Sequence, residues 1–183
     1  LTVVRAAGGR LSFDVSSVGL IQHYGVDRFL GLVESLRPDI VTANADESEL
    51  LGLTAQGQPG PALPRLGGAT LLARAGSEPT RVFRAGRLLA TIPVPPVAVV
   101  RDLTGAGDAF NGGYLTDLLA HGDDPERNVA AAHALAARVI GRRSRILLRA
   151  RGQGAMASIE LPVERVHQAL LDHRLEEGFL AVE

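Results

Sequence analysis

The strongest chemical signal in the chain is a glycine-rich segment, Asp102–Phe110, with the sequence DLTGAGDAF. It follows a short apolar run and opens a stretch with helical character. Small residues at a helix start let a phosphate approach the backbone, where free N–H groups and the helix dipole favour negative charge. Asp108, in the same turn, is placed to accept a hydroxyl proton during phosphoryl transfer. The alternative is a glycine-containing turn in which Asp108 only caps the helix.

A second polar block, Pro38–Glu47 (PDIVTANADE), ends an apolar run. Asn44 follows the run, and Glu47 comes three residues later. This spacing predicts a helix N-cap whose acidic N3 residue completes a capping box.

Composition excludes several mechanisms. All 19 basic residues are Arg, so a Walker A lysine and a pyridoxal Schiff base are absent, and the lack of Cys excludes thiolate chemistry and disulfides. The net charge of -1 argues against nucleic acid or an anionic membrane as the main partner. Six Arg between Arg138 and Arg151 lack the interleaved aromatics of a nucleic-acid site. Since no long apolar run or signal peptide is found, we expect a cytoplasmic protein.

The elements that must position these residues alternate between strands and helices. This order predicts an α/β layer fold with a largely parallel sheet. A proline- and glycine-rich loop is expected over 56–68. The predicted strands are 10–15, 39–43, 70–73, 81–83, 88–92 and 97–100, and the predicted helices are 26–36, 46–53, 105–119, 125–140 and 162–171.

The glycine-rich segment resembles the second signature of the ribokinase-like (PfkB) carbohydrate kinase family, with Leu103 where that family usually has Thr or Ser. Pro38–Glu47 is similar to the family's P-D-x-x-x-x-N-x-x-E block. The resemblance implies a three-layer α/β/α, Rossmann-like sheet and the phosphorylation of a small-molecule sugar or nucleoside by ATP with Mg²⁺. It implies that Asp108 is the general base, and that Asn44 and Glu47 lie near the phosphates, with Glu47 reaching Mg²⁺ through water. The anion hole would consist of Gly105, Ala106 and Gly107.

Two further resemblances concern the nucleotide. Ala75–Pro79 occupies the slot of the family's G-x-x-G nucleotide turn, with Pro79 in place of the second Gly. Gly76 and Ser77 are therefore the expected nucleotide contacts. His133 occupies a position that the family places near the nucleotide base, although a helix-surface His without a role is the favoured alternative.

A third resemblance concerns a monovalent cation, such as K⁺. Asp102, Thr104 and Ser158 are similar to residues near a cation loop in the family, and Asp102 as an ordinary strand-end residue is the alternative. The Arg-rich stretch Arg142–Gln153 interrupts the family pattern as an insert of about ten residues. We expect a solvated loop there, with a phosphate-attracting rim or an incorrect stretch of sequence as the alternatives.

The resemblance implies that residues 1–183 are the C-terminal nucleotide-binding and catalytic portion of such a kinase. The family's Gly-Gly sugar signature and lid are not found, so the sheet is expected to be truncated at its N-terminal side. We therefore expect the isolated chain to form a homo-oligomer or to need an N-terminal half, and not to phosphorylate an acceptor alone. The alternative is a non-catalytic remnant that binds nucleotide or a partner chain.

Overall fold

The computed structural model describes residues 2–97 and 100–149, and the described residues up to Ile146 form one compact unit. The helices are α1 (Thr2–Ala6), α2 (Val18–Tyr24), α3 (Val26–Leu36), α4 (Ala45–Leu50), α5 (Ala106–His121) and α6 (Pro125–Arg149). The strands are β1 (Ser12–Asp14), β2 (Ile40–Asn44), β3 (Thr54–Ala55), β4 (Gln58–Pro59), β5 (Thr70–Ala75), β6 (Glu78–Arg84) and β7 (Arg87–Ile92).

The main sheet has five strands in the order β1-β2-β5-β6-β7. The pairs β1–β2 and β2–β5 are parallel, whereas β5–β6 and β6–β7 are antiparallel. The predicted α/β fold is confirmed, but the sheet is mixed rather than largely parallel. Two-residue turns at Gly76–Ser77 and Ala85–Gly86 join β5, β6 and β7, and such short connections produce antiparallel neighbours. Positive φ angles at Ala85 (50°) and Gly86 (75°) suit a tight hairpin.

Helices cover both faces of the sheet, because side chains on successive strand residues point to opposite sides. On β5, Leu71 belongs to the core formed with α2, α3 and α4, whereas Leu72 belongs to the core formed with α5 and α6. The first core is centred on Phe29, Leu30, Val33, Val41 and Phe83, and the second on Val82, Phe110, Tyr114, Leu118 and Val129. The three layers fix the carboxyl ends of β1, β2 and β5 beside the start of α5.

The Arg-rich stretch differs from the prediction. α6 continues to Arg149, nine residues past its predicted end at Ile140, so the expected solvated loop is wrong for residues 142–149. The stretch contains no Pro and is rich in Arg and Leu, and its Ser144 is buried. The rest of the stretch, Ser158 and the predicted helix 162–171 lie outside the described residues.

Two smaller differences concern loops. The 56–68 segment contains β4 and a 3-10 turn, Leu63–Leu66. Val97 and Val100 lie outside any strand, and residues 98–99 of that predicted strand are not described. In the part of the chain that the structure covers, no helix combines the length and apolar character needed to cross a membrane.

Candidate functional site

The first turn of α5 presents unused backbone donors. Gly105 is the N-cap and has a left-handed conformation, φ 78°, which a glycine adopts without strain. The Ala106 N–H donates to the Leu103 carbonyl at 3.0 Å, so this predicted member of the anion hole is already engaged. The N–H groups of Gly107 and Asp108 have no acceptor among the described residues. Two free donors at a helix start suit an anion, and the Asp108 side chain in the same turn is exposed.

A guanidinium lies against this turn. Arg74 shares a face of β5 with Leu72, which packs beneath α5. A Cβ placed on Gly107 would lie 2.5 Å from the Arg74 Nη1, and the guanidinium carbon is 5.6 Å from the Phe110 ring centroid. Sequence reasoning missed Arg74, although the period-2 alternation from Thr70 through Leu72 indicates which face it occupies.

The Asp14 side chain, at the end of β1, contacts residues of β5 and α5 close to this turn. Its Oδ2 lies 3.5 Å from the Arg74 Nη2 and accepts a hydrogen bond from the Asn111 side-chain amide. Its Oδ1 accepts from the Ser16 N–H at 3.0 Å. The carboxylate thereby connects the end of β1 with β5 and α5. No local pattern in the sequence marks Asp14 or Asn111 as a site residue.

Buried polar atoms without partners cluster around this network. They are the Thr42 Oγ1, the Arg74 Nε and the Asn111 Oδ1, none of which has a hydrogen-bond partner within the described residues. Thr42 is the register neighbour of Asp14, and Asn44 is the register neighbour of Arg74. Because folded proteins pair most buried polar atoms, such a cluster is typical of a site completed by a polar ligand or water.

Asn44 and Glu47 form the predicted capping box. The Asn44 Oδ1 accepts from the Glu47 N–H at 2.9 Å, and the Glu47 carboxylate accepts from the Asn44 N–H at 2.8 Å. Glu47 is only 2% exposed, and the described residues contain no group of three acidic or histidine side chains that could hold a metal alone. A Mg²⁺ bound beside these residues would therefore have to take most of its ligands from water and phosphate. The Mg²⁺ role of Glu47 stays a prediction.

Gly76 and Ser77 form the exposed turn between β5 and β6, two residues beyond Arg74. Gly76 has a positive φ of 64°. Pro79 lies within β6 and leaves the turn intact. The turn therefore lies at the same end of β5 as Arg74, and its contact with a nucleotide stays a prediction.

His133 is buried, so the favoured helix-surface interpretation is wrong. It is 5% exposed, its Nε2 lies 2.9 Å from the Thr80 Oγ1, and its ring centroid lies 5.5 Å from that of Phe110. Burial lowers the pKa of His133, and the Pro93 backbone offsets this only in part. α6 turns this residue toward the sheet. The neutral ring thus has a packing role, and a nucleotide contact stays an untested prediction.

Asp102 makes an ion pair with the Arg-rich end of α6 through one of its carboxylate oxygens. Its Oδ2 accepts from the Arg143 Nε at 2.7 Å and lies 2.5 Å from the Arg143 Nη2. Its Oδ1 accepts from the Thr104 N–H at 2.9 Å. Hydrogen bonds from Thr104, and then from Arg143, lower the pKa of Asp102 to about 2. The carboxylate therefore stays ionised at neutral pH.

A cavity of about 700 Å³ lies elsewhere in the described part of the chain. It is at the amino ends of β2 and β5, beside Ile40 and Thr70, and no predicted site residue lines it. Arg65 and Arg84 in its wall are ion-paired with Glu34 and Asp123. The chemistry-bearing residues are instead at the opposite ends of these strands.

Fold and site together define an α/β protein in which a helix start with unused backbone N–H donors lies at the carboxyl edge of the sheet. The family model of the pfkB family carbohydrate kinases matches residues 26–149, which is more than half of the chain. The chain therefore belongs to the pfkB carbohydrate kinase family. A comparison with curated proteins gave no match.

Solved structures share the fold. Adenosine kinase from Sinorhizobium meliloti is 26% identical with a TM-score of 0.66, and the match covers 76% of this chain and 42% of that one. A candidate ribokinase II from E. coli, in complex with ATP and Mg²⁺, is 25% identical with a TM-score of 0.63, covering 78% and 46%. A sugar kinase candidate from Rhizobium etli is 24% identical with a TM-score of 0.65, covering 82% and 47%. The chain thus spans less than half the length of these structures.

Proposed function

We propose that this chain forms the donor-side, catalytic portion of a kinase that transfers a phosphoryl group from ATP to a hydroxyl of a sugar or nucleoside. One observation carries the proposal: the free N–H groups of Gly107 and Asp108 lie at the start of α5, beneath the Arg74 guanidinium and beside an exposed carboxylate. The N–H donors and the Arg74 cation therefore adjoin the same helical turn. A proton acceptor stands in the same helical turn.

This arrangement suits the charge changes of phosphoryl transfer. The bond between the γ-phosphorus and its bridging oxygen breaks, the acceptor oxygen bonds to phosphorus, and ADP leaves. The N–H donors and Arg74 stabilise negative charge on the transferring group. Asp108 accepts the hydroxyl proton, a contribution typically worth ~10²–10⁴-fold in rate. Bound Mg²⁺ would neutralise phosphate charge, with Asn44 and Glu47 as the residues that reach it through water.

Asp14 acts on this site through Arg74. The ion pair and the Asn111 hydrogen bond hold the carboxylate between β5 and α5. A guanidinium held in this way has less conformational freedom to lose when phosphate binds. Family membership supports ATP as the donor, and the E. coli neighbour was solved with ATP and Mg²⁺. The carbohydrate kinase family and the adenosine kinase neighbour support a sugar or a nucleoside as the class of acceptor.

The test combines binding and turnover on the purified 183-residue chain. Calorimetry measures ATP affinity with and without Mg²⁺, and a panel of pentoses, hexoses and nucleosides measures transfer. Asp108→Asn should retain ATP affinity and lose ~10²–10⁴-fold in any turnover. Asp27→Asn is the matched control, since Asp27 is an exposed acid in the first turn of α3.

Transfer by the wild-type chain would exclude the alternative of a non-catalytic nucleotide-binding protein. ATP binding without transfer is the outcome expected of a donor-side portion that lacks its acceptor half, and it is equally compatible with that alternative. Absence of ATP binding would overturn both. Equal turnover in wild type and Asp108→Asn would remove Asp108 from the mechanism.

A further inference from the structure

The loop that leads into the anion hole is held by two adjacent residues of α6. Arg143 pairs with Asp102, and the buried Ser144 Oγ accepts from the Arg101 N–H at 3.0 Å. Arg143 and Ser144 belong to the part of α6 beyond Ile140, which sequence analysis interpreted as an insert. The Arg-rich stretch therefore has a specific contact, three residues before the N-cap Gly105.

The Asp102 carboxylate does not fit a bound monovalent cation. Its Oδ1 accepts from the Thr104 N–H, and its Oδ2 faces two nitrogen atoms of Arg143. A K⁺ ion here would have to share an oxygen with a guanidinium at hydrogen-bond distance, and like charges that close repel. The described part of the predicted cation loop thus already contains a positive charge.

We infer that Arg143 takes the place of a monovalent cation beside the Asp102–Thr104 turn, so that the approach to the anion hole needs no K⁺. The inference rests on the proposed function only for the role of that loop in binding phosphate. The planar guanidinium is well suited to this task, because it meets one carboxylate with two donors in a fixed geometry. Arg143 is a positioning residue, since it acts through its contact with Asp102.

The first measurement is thermal unfolding of the 183-residue chain in KCl and in choline chloride at equal ionic strength. The wild-type Tm should be the same in both salts. Arg143→Met keeps an unbranched apolar stem but removes the charge. It should lower the Tm by up to about 4 °C in choline, as expected for a partly exposed ion pair, and KCl should restore part of the loss by occupying the freed carboxylate.

Two variants sharpen this test. Arg145→Met is the control, because Arg145 is an exposed neighbour with no ion pair to a described residue. The Tm of Arg145→Met should be the same in KCl and in choline chloride. Arg143→Lys retains a positive charge and should remain independent of K⁺, even if it recovers only part of the wild-type Tm.

A saturable K⁺-dependent rise in the wild-type Tm would overturn the inference. So would an Arg143→Met variant that behaves like Arg145→Met in both salts. If Arg143→Met fails to fold, the Tm values of the wild type and of Arg143→Lys in the two salts still test the inference. ATP affinity in the two salts is the second readout. Loss of ATP binding in every salt would refute the proposed function and leave the Tm result standing.

Discussion

Gly113→Ala should destabilise the protein, whereas Gly112→Ala, one residue earlier in α5, should not. A Cβ on Gly113 would lie 2.8 Å from the Ala132 Cα and 3.0 Å from the Ala131 carbonyl oxygen. Both atoms are backbone atoms of α6, so no side-chain rotation relieves the contact. A Cβ on Gly112 would meet nothing within 4 Å.

The expected magnitudes follow from these contacts. A Gly-to-Ala change inside a helix stabilises by roughly 0.5–1 kcal/mol, because the unfolded chain loses conformational freedom. Gly112→Ala should show this gain. At Gly113 the same gain is opposed by an overpacking cost of typically ~1–3 kcal/mol. The two variants should therefore differ by about 1–3 kcal/mol in free energy of unfolding.

Urea denaturation followed by far-ultraviolet circular dichroism measures this difference. Unchanged slopes with shifted midpoints would indicate that native-state stability alone has changed. Equal midpoints for the two variants would refute the close approach of α5 and α6. A Gly113→Ala protein more stable than Gly112→Ala would also refute this close approach. It would equally refute the idea that α6 fixes the position of α5, the helix that carries Asp108.

Three other changes test the site and its surroundings. Gly107→Val should weaken ATP binding and turnover together, because the new side chain takes the space of the Arg74 Nη1; unchanged affinity by calorimetry in a folded variant would contradict a phosphate there. Arg74→Met should cost about tenfold or more in ATP affinity, the worth of one hydrogen bond to a charged group at ~1.5–3 kcal/mol, and equal affinity would remove Arg74 from the site. Burial lowers the pKa of His133 in the folded protein. Its contribution to the free energy of unfolding should therefore be full above pH 6.5 and decrease as the pH falls below 6.5, because the unfolded chain takes up a proton that the buried ring resists. His133→Gln should flatten this part of the urea-denaturation pH profile, and parallel wild-type and variant profiles would contradict a buried neutral ring.

Features governed by neighbours in the chain could be predicted from the sequence. The helix at Val26–Leu36, the capping box of Asn44 and Glu47, the Ala85–Gly86 hairpin and the helix start at Gly105 all have the predicted form. Each depends on periodicity, caps or turn residues within a few positions, so the sequence contains its cause. The family resemblance rested on the same local segments, and the family match confirmed it.

The polar contacts around the start of α5 could not be predicted from the sequence, because they depend on the tertiary structure. Asp14 and Asn111 are 97 residues apart, and Arg143 is 41 residues from Asp102. Nothing local in Arg74 indicates a site; it lies against Gly107 because β5 is the third strand of the sheet and α5 crosses its carboxyl end. The burial of His133 likewise follows from which face of α6 meets the sheet. The sequence by itself determined the local shape of the helix start at Gly105, whereas strand order and helix packing decided which charges surround it, because those contacts join residues that the chain keeps far apart.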